Sequence, residues 1–486
     1  MTITEKWADF IVNCVFDEIP AEVVHQTKLY ILDSIGCALG GYAIEWGKKV
    51  AALGCDLGGK PEATVIGSGD RLHCAQAAYV NGKLGNILDM DETLYNNRHI
   101  GGVPFFPSLS AGERIGATGK DVILATLLAY DFAARSGVCG SSFRPDLEKG
   151  VVISGNAAMG FNTFGAAIAA AKVFGFDSER MINTLGVVCY FAPGAIESKF
   201  TFTPPGNFNK YGDMGWFCFS GIMATLCVKN GYIGDPSVLD GPRGLAALLG
   251  APEFDYDTFM ADMGERWYIM DAGFKPYPTC RWFHTGISLL ECIIKEHELE
   301  PADIDQIVVY THPLAVNLPM FLEAAKWAES PGKELWFSVD SITYALACAV
   351  CGITPGPEWC TEETLNSPEI IEMTKKISHE EHPDALIQSA AWTGHPGKIF
   401  SQPPTSIKVI SEKGTFTADS NDIPGDSWNP KTKLTDGQII TKFHTNASYV
   451  LEDAQIQRII EVVDRLENIE NVSDFSNLLA PQIKLT

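Results

Sequence analysis

The stretch from Asn162 to Phe174 constrains the fold more than any other part of this chain. It is apolar almost throughout and carries Gly165, Ala166, Ala167, Ala169, Ala170 and Ala171. Residues this small let neighbouring backbones approach closely, which points to a helix inside a tightly packed bundle. Other segments in the first half read the same way. Pro20 opens a stretch to Ala38 with Val23, Val24, Leu29, Ile31, Leu32 and Ile35 at three- and four-residue steps, and Gly40-Gly41 is expected to end it. Val122 to Ala134 is a nearly continuous apolar helix, and Met214 to Lys229 is another after the Pro204-Pro205-Gly206 loop.

Near residue 270 the pattern changes. Ile304 to His312 has β-branched and aromatic residues in strand-like order, and Thr405 to Ala418 reads as two strands joined at Glu412-Lys413-Gly414. Helical patterns at Gly286–His297 and Ser338–Ala349 lie between them. This describes a smaller α+β unit. Asn421 to Lys433 is a Pro/Gly/Asp-rich linker, after which the chain reads as helix from Thr435 to about Leu466. There is no internal repeat, low-complexity tract, or Walker or Rossmann glycine motif; Gly67-Ser68-Gly69 reads as a turn.

A chain of 486 residues can bury a large core and is expected to form at least two domains. Its net charge of −24, with no basic run interleaved with aromatics, argues against nucleic acid and against an anionic membrane surface. It also means that an anionic substrate needs a local basic pocket to overcome the overall field. Met1 to Phe10 contains Glu5, Lys6 and Asp9 and no apolar targeting core. The longest uncharged apolar run, Met214 to Val228, is shorter than a membrane span needs, so a soluble, cytoplasmic protein is expected. The 13 cysteines are scattered, many in apolar stretches, as suits reduced thiols. Cys348-Ala-Val-Cys351 is the only CxxC; with no second pair and no nearby His, it is not expected to hold a metal or an iron–sulfur cluster.

The segment Leu88-Asp89-Met90-Asp91-Glu92-Thr93, followed by His99-Ile100-Gly101-Gly102, carries the chemistry. Carboxylates this close repel unless water, a cation or a shared proton relieves them. A His beside them is a candidate proton-transfer group. On residue types alone the segment is either such a centre or a solvated acidic loop between two core helices. Asp91 and Glu92 are expected to be helix-end or loop charges.

The motifs together resemble the MmgE/PrpD family over nearly the whole chain. The resemblance rests on Ile31-Leu32-Asp33-Ser34-Ile35-Gly36-Cys37, on Ala63-Thr64-Val65-Ile66-Gly67, and on Asp89, Thr93 and His99. Further on it rests on Thr163-Phe164-Gly165, on Lys210 placed eleven residues before Gly221, and on Lys275-Pro276-Tyr277-Pro278-Thr279-Cys280 with His284 after it. It implies a mainly α fold: a large all-helical domain from both chain ends (1–269 plus 429–486) with a smaller α+β domain (270–428) inserted. It further implies an active site in the cleft between the domains and a homodimer.

The family's reactions make or break a bond beside a carboxylate of a small carboxylic acid, so the site needs cations for the growing charge and a base within reach of the proton. The resemblance assigns the cations to Lys210 and Lys275 and proton transfer to His99, with Asp89 orienting it or acting as a second base. Thr93 would donate a hydrogen bond. Tyr277 and His284 are weaker substrate-binding candidates, and Arg98 and Arg281 could each clamp a carboxylate. Two positions depart from relatives that carry His there: Asn156 and Asp213. Asn exchanges no proton near neutrality, and Asp213 would place an anion near Lys210. The reading is a cofactor-independent, metal-free lyase of dehydratase or decarboxylase type acting by proton transfer on a small carboxylic acid. An isomerase or epimerase of a small amino- or imino-dicarboxylic acid, and a non-catalytic member, are the alternatives.

Overall fold

The structure is a computed structural model that describes residues 1–95, 99–140, 143–146, 150–153, 159–194, 213–250, 254–326, 338–392 and 403–482. Its longer helices before residue 270 are α1 (Ile3–Asn13), α2 (Ala21–Ala43), α3 (Glu45–Leu57), α4 (Cys74–Asn86), α5 (Phe105–Ile115), α6 (Gly119–Cys139), α7 (Phe161–Val173), α8 (Ser178–Val188) and α9 (Met214–Lys229). Short antiparallel pairs, β1 (Ala63–Thr64) with β2 (Arg71–Leu72) and β3 (Phe143–Asp146) with β4 (Gly150–Ile153), interrupt them.

The small-residue stretch does pack closely. A Cβ on Gly165 of α7 would stand 3.1 Å from the Ala129 carbonyl of α6, and one on Gly221 of α9 would stand 2.4 Å from Ala166 of α7. Gly40-Gly41 does not end α2, which runs on to Ala43. An interior helical glycine costs up to about 1 kcal/mol relative to alanine. Here it lets α4 approach, because a Cβ on Gly41 would lie 2.1 Å from the Leu84 carbonyl oxygen. Helix α6 is long and apolar enough to cross a bilayer, yet 94% of its most apolar window is buried inside the fold. It carries the buried Asp131–Arg135 ion pair at 2.7 Å.

The second half holds α10 (His284–Glu296), α11 (Ile342–Val350) and a four-stranded sheet in the order β6-β5-β7-β8. Its strands are β5 (Ile304–Thr311), β6 (Ile377–Glu381), β7 (Thr405–Ser411) and β8 (Gly414–Ser420). The hairpin β7–β8 pairs antiparallel with Ile407 opposite Ala418, β5–β7 is antiparallel with Ile307 opposite Val409, and β5–β6 is parallel. Strand β6 escaped the sequence reading because Ile-Ser-His-Glu-Glu is mostly polar, as an edge strand can be.

The chain then returns to helices α12 (Asp436–Ala447) and α13 (Asp453–Asp464), not to one continuous helix. The turn between them drops Leu451 into the core. Helix α12 lies against the N-terminal α2, where Gly36 leaves 3.0 Å between a would-be Cβ and the Phe443 ring. Helices near the two ends of the chain thus pack against each other.

Candidate active site

After Asn86 ends α4, the chain from Leu88 to Thr93 runs through the interior. Asp89, Asp91, Glu92, Thr93 and His99 are all at most 3% exposed, so the solvated-loop alternative is excluded. Burying ionisable groups costs free energy unless each is paired or hydrogen-bonded. Asp89 takes a left-handed backbone conformation (φ 51°), which Asp tolerates better than most side chains.

Lys275 comes to this turn through the backbone. Thr93 and Gly273 form an antiparallel bridge, with N–H···O distances of 3.0 and 2.8 Å. The next residue, Phe274, donates its N–H to the Gly425 carbonyl at 3.0 Å. That seats the 273–275 segment between residues 93 and 425, and the Lys275 ammonium donates to Asp89 Oδ1 at 2.6 Å and to the Asp89 carbonyl at 3.1 Å. Removing one member of such a pair leaves a buried charge uncompensated.

His99 is fully buried, and its carbonyl accepts from Asn162 Nδ2 at 2.9 Å. One ring nitrogen of His99 and one carboxylate oxygen each of Asp89 and Asp91 lie within 4.8 Å of one another. These nitrogen and oxygen donors could share one divalent cation; the Lys275 ammonium already supplies positive charge at Asp89. A second set of potential ligands, Glu62, His73 and Cys74, surrounds the Arg114 guanidinium, which stands 3.2 to 3.4 Å from one atom of each.

Asp91 and Glu92 are not the loop charges expected from the sequence. Asn86 Nδ2 donates to both Asp91 oxygens at 3.1 and 3.0 Å. Burial pushes the Asp91 carboxyl up to about 6, against the pull of Lys275, and the Asp89 charge adds to the rise. Burial pushes Glu92 up to about 8, against the hydrogen bond from Tyr130. Two ionisable groups the sequence reading did not single out complete the surroundings. Lys442 of α12 donates to the Met90 carbonyl at 2.7 Å and pairs with Asp33 of α2 at 2.6 Å. The sequence signals were a lone Asp in the apolar stretch of α2 from Leu29 to Ala43 and a Lys at a core-facing step of α12.

The other predicted residues fall in distinct places. His284 is buried, with Nε2 3.2 Å from the Thr279 carbonyl. Burial first, then the Lys275 charge, push its ring down to about 3, so it is a neutral imidazole. Its Nδ1 has no hydrogen-bond partner among the described residues. Tyr277 sets its ring edge-on to His284 at 5.3 Å and donates its hydroxyl to Glu291 at 2.7 Å.

Arg281 was expected to clamp a substrate carboxylate, but the carboxylate in its fork is that of Asp426, with Nε 2.8 Å from Oδ1 and both side chains 1% exposed. The guanidinium also lies over Trp428, 5.0 Å from the ring centre. Asp213 caps α9 by accepting from the Trp216 N–H at 3.0 Å, and its other oxygen stands 3.6 Å from the buried Lys83 ammonium. The anion at 213 therefore brings its own counter-charge. Lys210, Asn156 and Arg98 lie outside the described residues.

Comparison with known proteins adds to this geometry. Residues 5–257 match the MmgE/PrpD N-terminal domain and residues 277–468 the MmgE/PrpD C-terminal domain. The chain is 25% identical to a human cis-aconitate decarboxylase, with 98% of this chain and 94% of that protein covered. It is 24% identical to the mouse cis-aconitate decarboxylase over 98% and 93%. A cis-aconitate decarboxylase of Aspergillus terreus is 21% identical, over 99% of this chain and 96% of the relative.

Proposed function

The chain belongs to the MmgE/PrpD family, and from that premise we propose that it is a lyase of the dehydratase or decarboxylase type, acting on a small di- or tricarboxylic acid by proton transfer beside a carboxylate. The observation that carries this reading is the buried Lys275–Asp89 pair with a His99 ring nitrogen within 4.8 Å of Asp89 and Asp91. Its relatives are decarboxylases of cis-aconitate, which makes that tricarboxylate the first substrate to try.

The residues have separable tasks. In a decarboxylation, a C–C bond breaks, carbon dioxide leaves, and the electron pair stays on the conjugated carboxylate skeleton until a carbon takes up a proton. In a dehydration, an α-proton leaves to a base while the hydroxyl departs as water with a proton. Both need positive charge where the anion grows, which Lys275 supplies. Both need one group that moves a proton, the task proposed for His99 with Asp89 and Asp91 facing it. His284, held neutral, offers its Nδ1 as an acceptor for a substrate hydroxyl. None of these roles requires an organic cofactor.

The test is proton NMR in deuterium oxide with cis-aconitate and a panel of di- and tricarboxylates and amino-dicarboxylates. A lyase creates or removes an alkene, with or without loss of carbon dioxide. Exchange of an α-proton with inversion and no new alkene would make the protein an isomerase instead. No turnover across the panel would sink both readings.

A further inference from the structure

The residues from His99 to Gly101 are held by buried side chains, and Glu92 provides two of the bonds. Its Oε2 accepts the Ile100 and Gly101 N–H groups at 3.2 and 3.0 Å, and its Oε1 accepts the Tyr130 hydroxyl at 2.5 Å. Tyr30, whose ring meets that of Tyr130 edge-on at 5.1 Å, donates its hydroxyl to the Gly101 carbonyl. Asn162 holds the carbonyl of His99 itself at 2.9 Å. Gly101 has φ 55°, and a Cβ there would stand 2.5 Å from Asp91 Oδ2, so a residue with a side chain does not fit between the turn and Asp91. Helices α2 and α7 thus reach the 99–101 turn directly through Tyr30 and Asn162, and α6 reaches it through Tyr130 and Glu92.

We propose that Glu92 is a positioning residue: by accepting the two N–H groups after His99 and the Tyr130 hydroxyl, it sets where the His99 imidazole stands relative to Asp89 and Asp91. The inference rests on the assignment of proton transfer to His99. A salt bridge to a lysine would balance charge as well, but it would not orient a backbone turn. A carboxyl oxygen accepting two successive N–H groups fixes both the position and the tilt of the peptide planes, and the imidazole follows the Cα that those planes hold. Burial of an acid beside Asp91 is costly, and the fold spends it on a turn that no apolar side chain could hold in the same way.

The test compares Glu92→Ala, Glu92→Gln and Tyr130→Phe with the wild-type protein by two readouts. The first is kcat and KM on the substrate found in the panel above. A displacement of about 1 Å at a reacting group costs about 100-fold in rate, so Glu92→Ala should lower kcat by about that factor with KM within about threefold. Glu92→Gln keeps an oxygen for the two N–H groups and should recover most of the loss, and Tyr130→Phe should fall between it and the wild type.

The second readout needs no substrate: the imidazole nitrogen resonances of His99 in histidine-labelled protein, assigned by their loss in His99→Gln. They should shift or broaden in Glu92→Ala and lie near wild type in Glu92→Gln. Unchanged His99 resonances in folded Glu92→Ala, or a kcat within twofold of wild type, overturn the proposal. If Glu92→Ala does not fold, Glu92→Asp, which draws the acceptor back from the two N–H groups by one methylene, takes its place, and wild-type kcat with unchanged His99 resonances in it overturns the proposal. If the wild-type protein turns over nothing, the functional reading fails while the resonance comparison still decides the role of Glu92.

Discussion

Two buried lysine–aspartate pairs flank the same turn, and they make an instructive contrast. Lys275 bonds Asp89 at 2.6 Å and reaches the Asp89 carbonyl; Lys442 bonds Asp33 at 2.6 Å and reaches the Met90 carbonyl. Length, burial and the use of one backbone oxygen are alike. What differs is what else faces each pair. Lys442 and Asp33 meet Cys37, whose thiol lies 3.5 Å from the Met90 carbonyl, and helix backbones from the two chain ends. Burial pulls the Lys442 ammonium down, but Asp33 and Cys37 push it above its ordinary value, so it stays a fixed charge. Lys275 and Asp89 meet His99, Asp91 and the neutral His284. Among the described residues the Lys442–Asp33 pair has a thiol and no imidazole beside it, whereas the Lys275–Asp89 pair has His99 and His284.

The contrast breaks or sharpens under substitution. Lys275→Met should lower kcat per folded molecule by about 1000-fold, the upper range for losing one group that stabilises a developing anion. Lys442→Met should leave kcat per folded molecule within a fewfold while costing about 3–5 kcal/mol of stability, because Asp33 is left charged and buried. Thermal melting and active-site-normalised kinetics measure both. Should the two variants lose activity alike, the division into a structural and a catalytic pair is wrong. Adding Asp33→Leu to Lys442→Met should restore much of the stability.

Gly101→Ala is a smaller perturbation on the catalytic side. A side chain at φ 55°, 2.5 Å from Asp91 Oδ2, is expected to cost about 1–3 kcal/mol by denaturant unfolding. A cost below that range would mean the turn is looser than the hydrogen bonds around it indicate.

The smallest effect is a pH slope. Glu92 ordinarily titrates near 4.5 and is pushed up to about 8 in the fold, and Asp91 moves from 3.8 to about 6. The folded protein therefore holds these protons longer than the unfolded chain does. Their contribution is fully present below the ordinary values and is lost as pH rises through about 6 for Asp91 and about 8 for Glu92. For one proton the slope is at most about 1.4 kcal/mol per pH unit. Glu92→Gln should flatten the melting curve against pH between 6 and 8 relative to the wild type. A wild-type slope in that variant would place the titration elsewhere.

Much of the helical architecture was legible because it follows local periodicity. The segment from Met214 to Lys229 forms the helix its apolar run indicated, and the hairpin at Glu412-Lys413 turns where its residues predicted. Misreadings came where a partner distant in sequence overrode the local signal. Gly40-Gly41 looks like a stop until Leu84 of α4 lies against it. The sequence near Arg281 gives no sign of Asp426, 145 residues on, which pairs with its guanidinium. Asp91 and Glu92 look like surface charges until Asn86, Tyr130 and two backbone N–H groups enclose them.

Taken alone, the sequence determined the helical character, the strand-forming stretch after residue 270, and the identity of the acid–His segment, because periodicity and residue chemistry are local properties. Only the tertiary structure decided that this segment is buried, that Lys275 pairs with its Asp89 side chain while Lys442 reaches its Met90 carbonyl, and that Glu92 accepts the two N–H groups after His99. Burial and charge pairing depend on which residues meet across hundreds of positions, and a free energy of pairing has no signature in the residues that flank each partner.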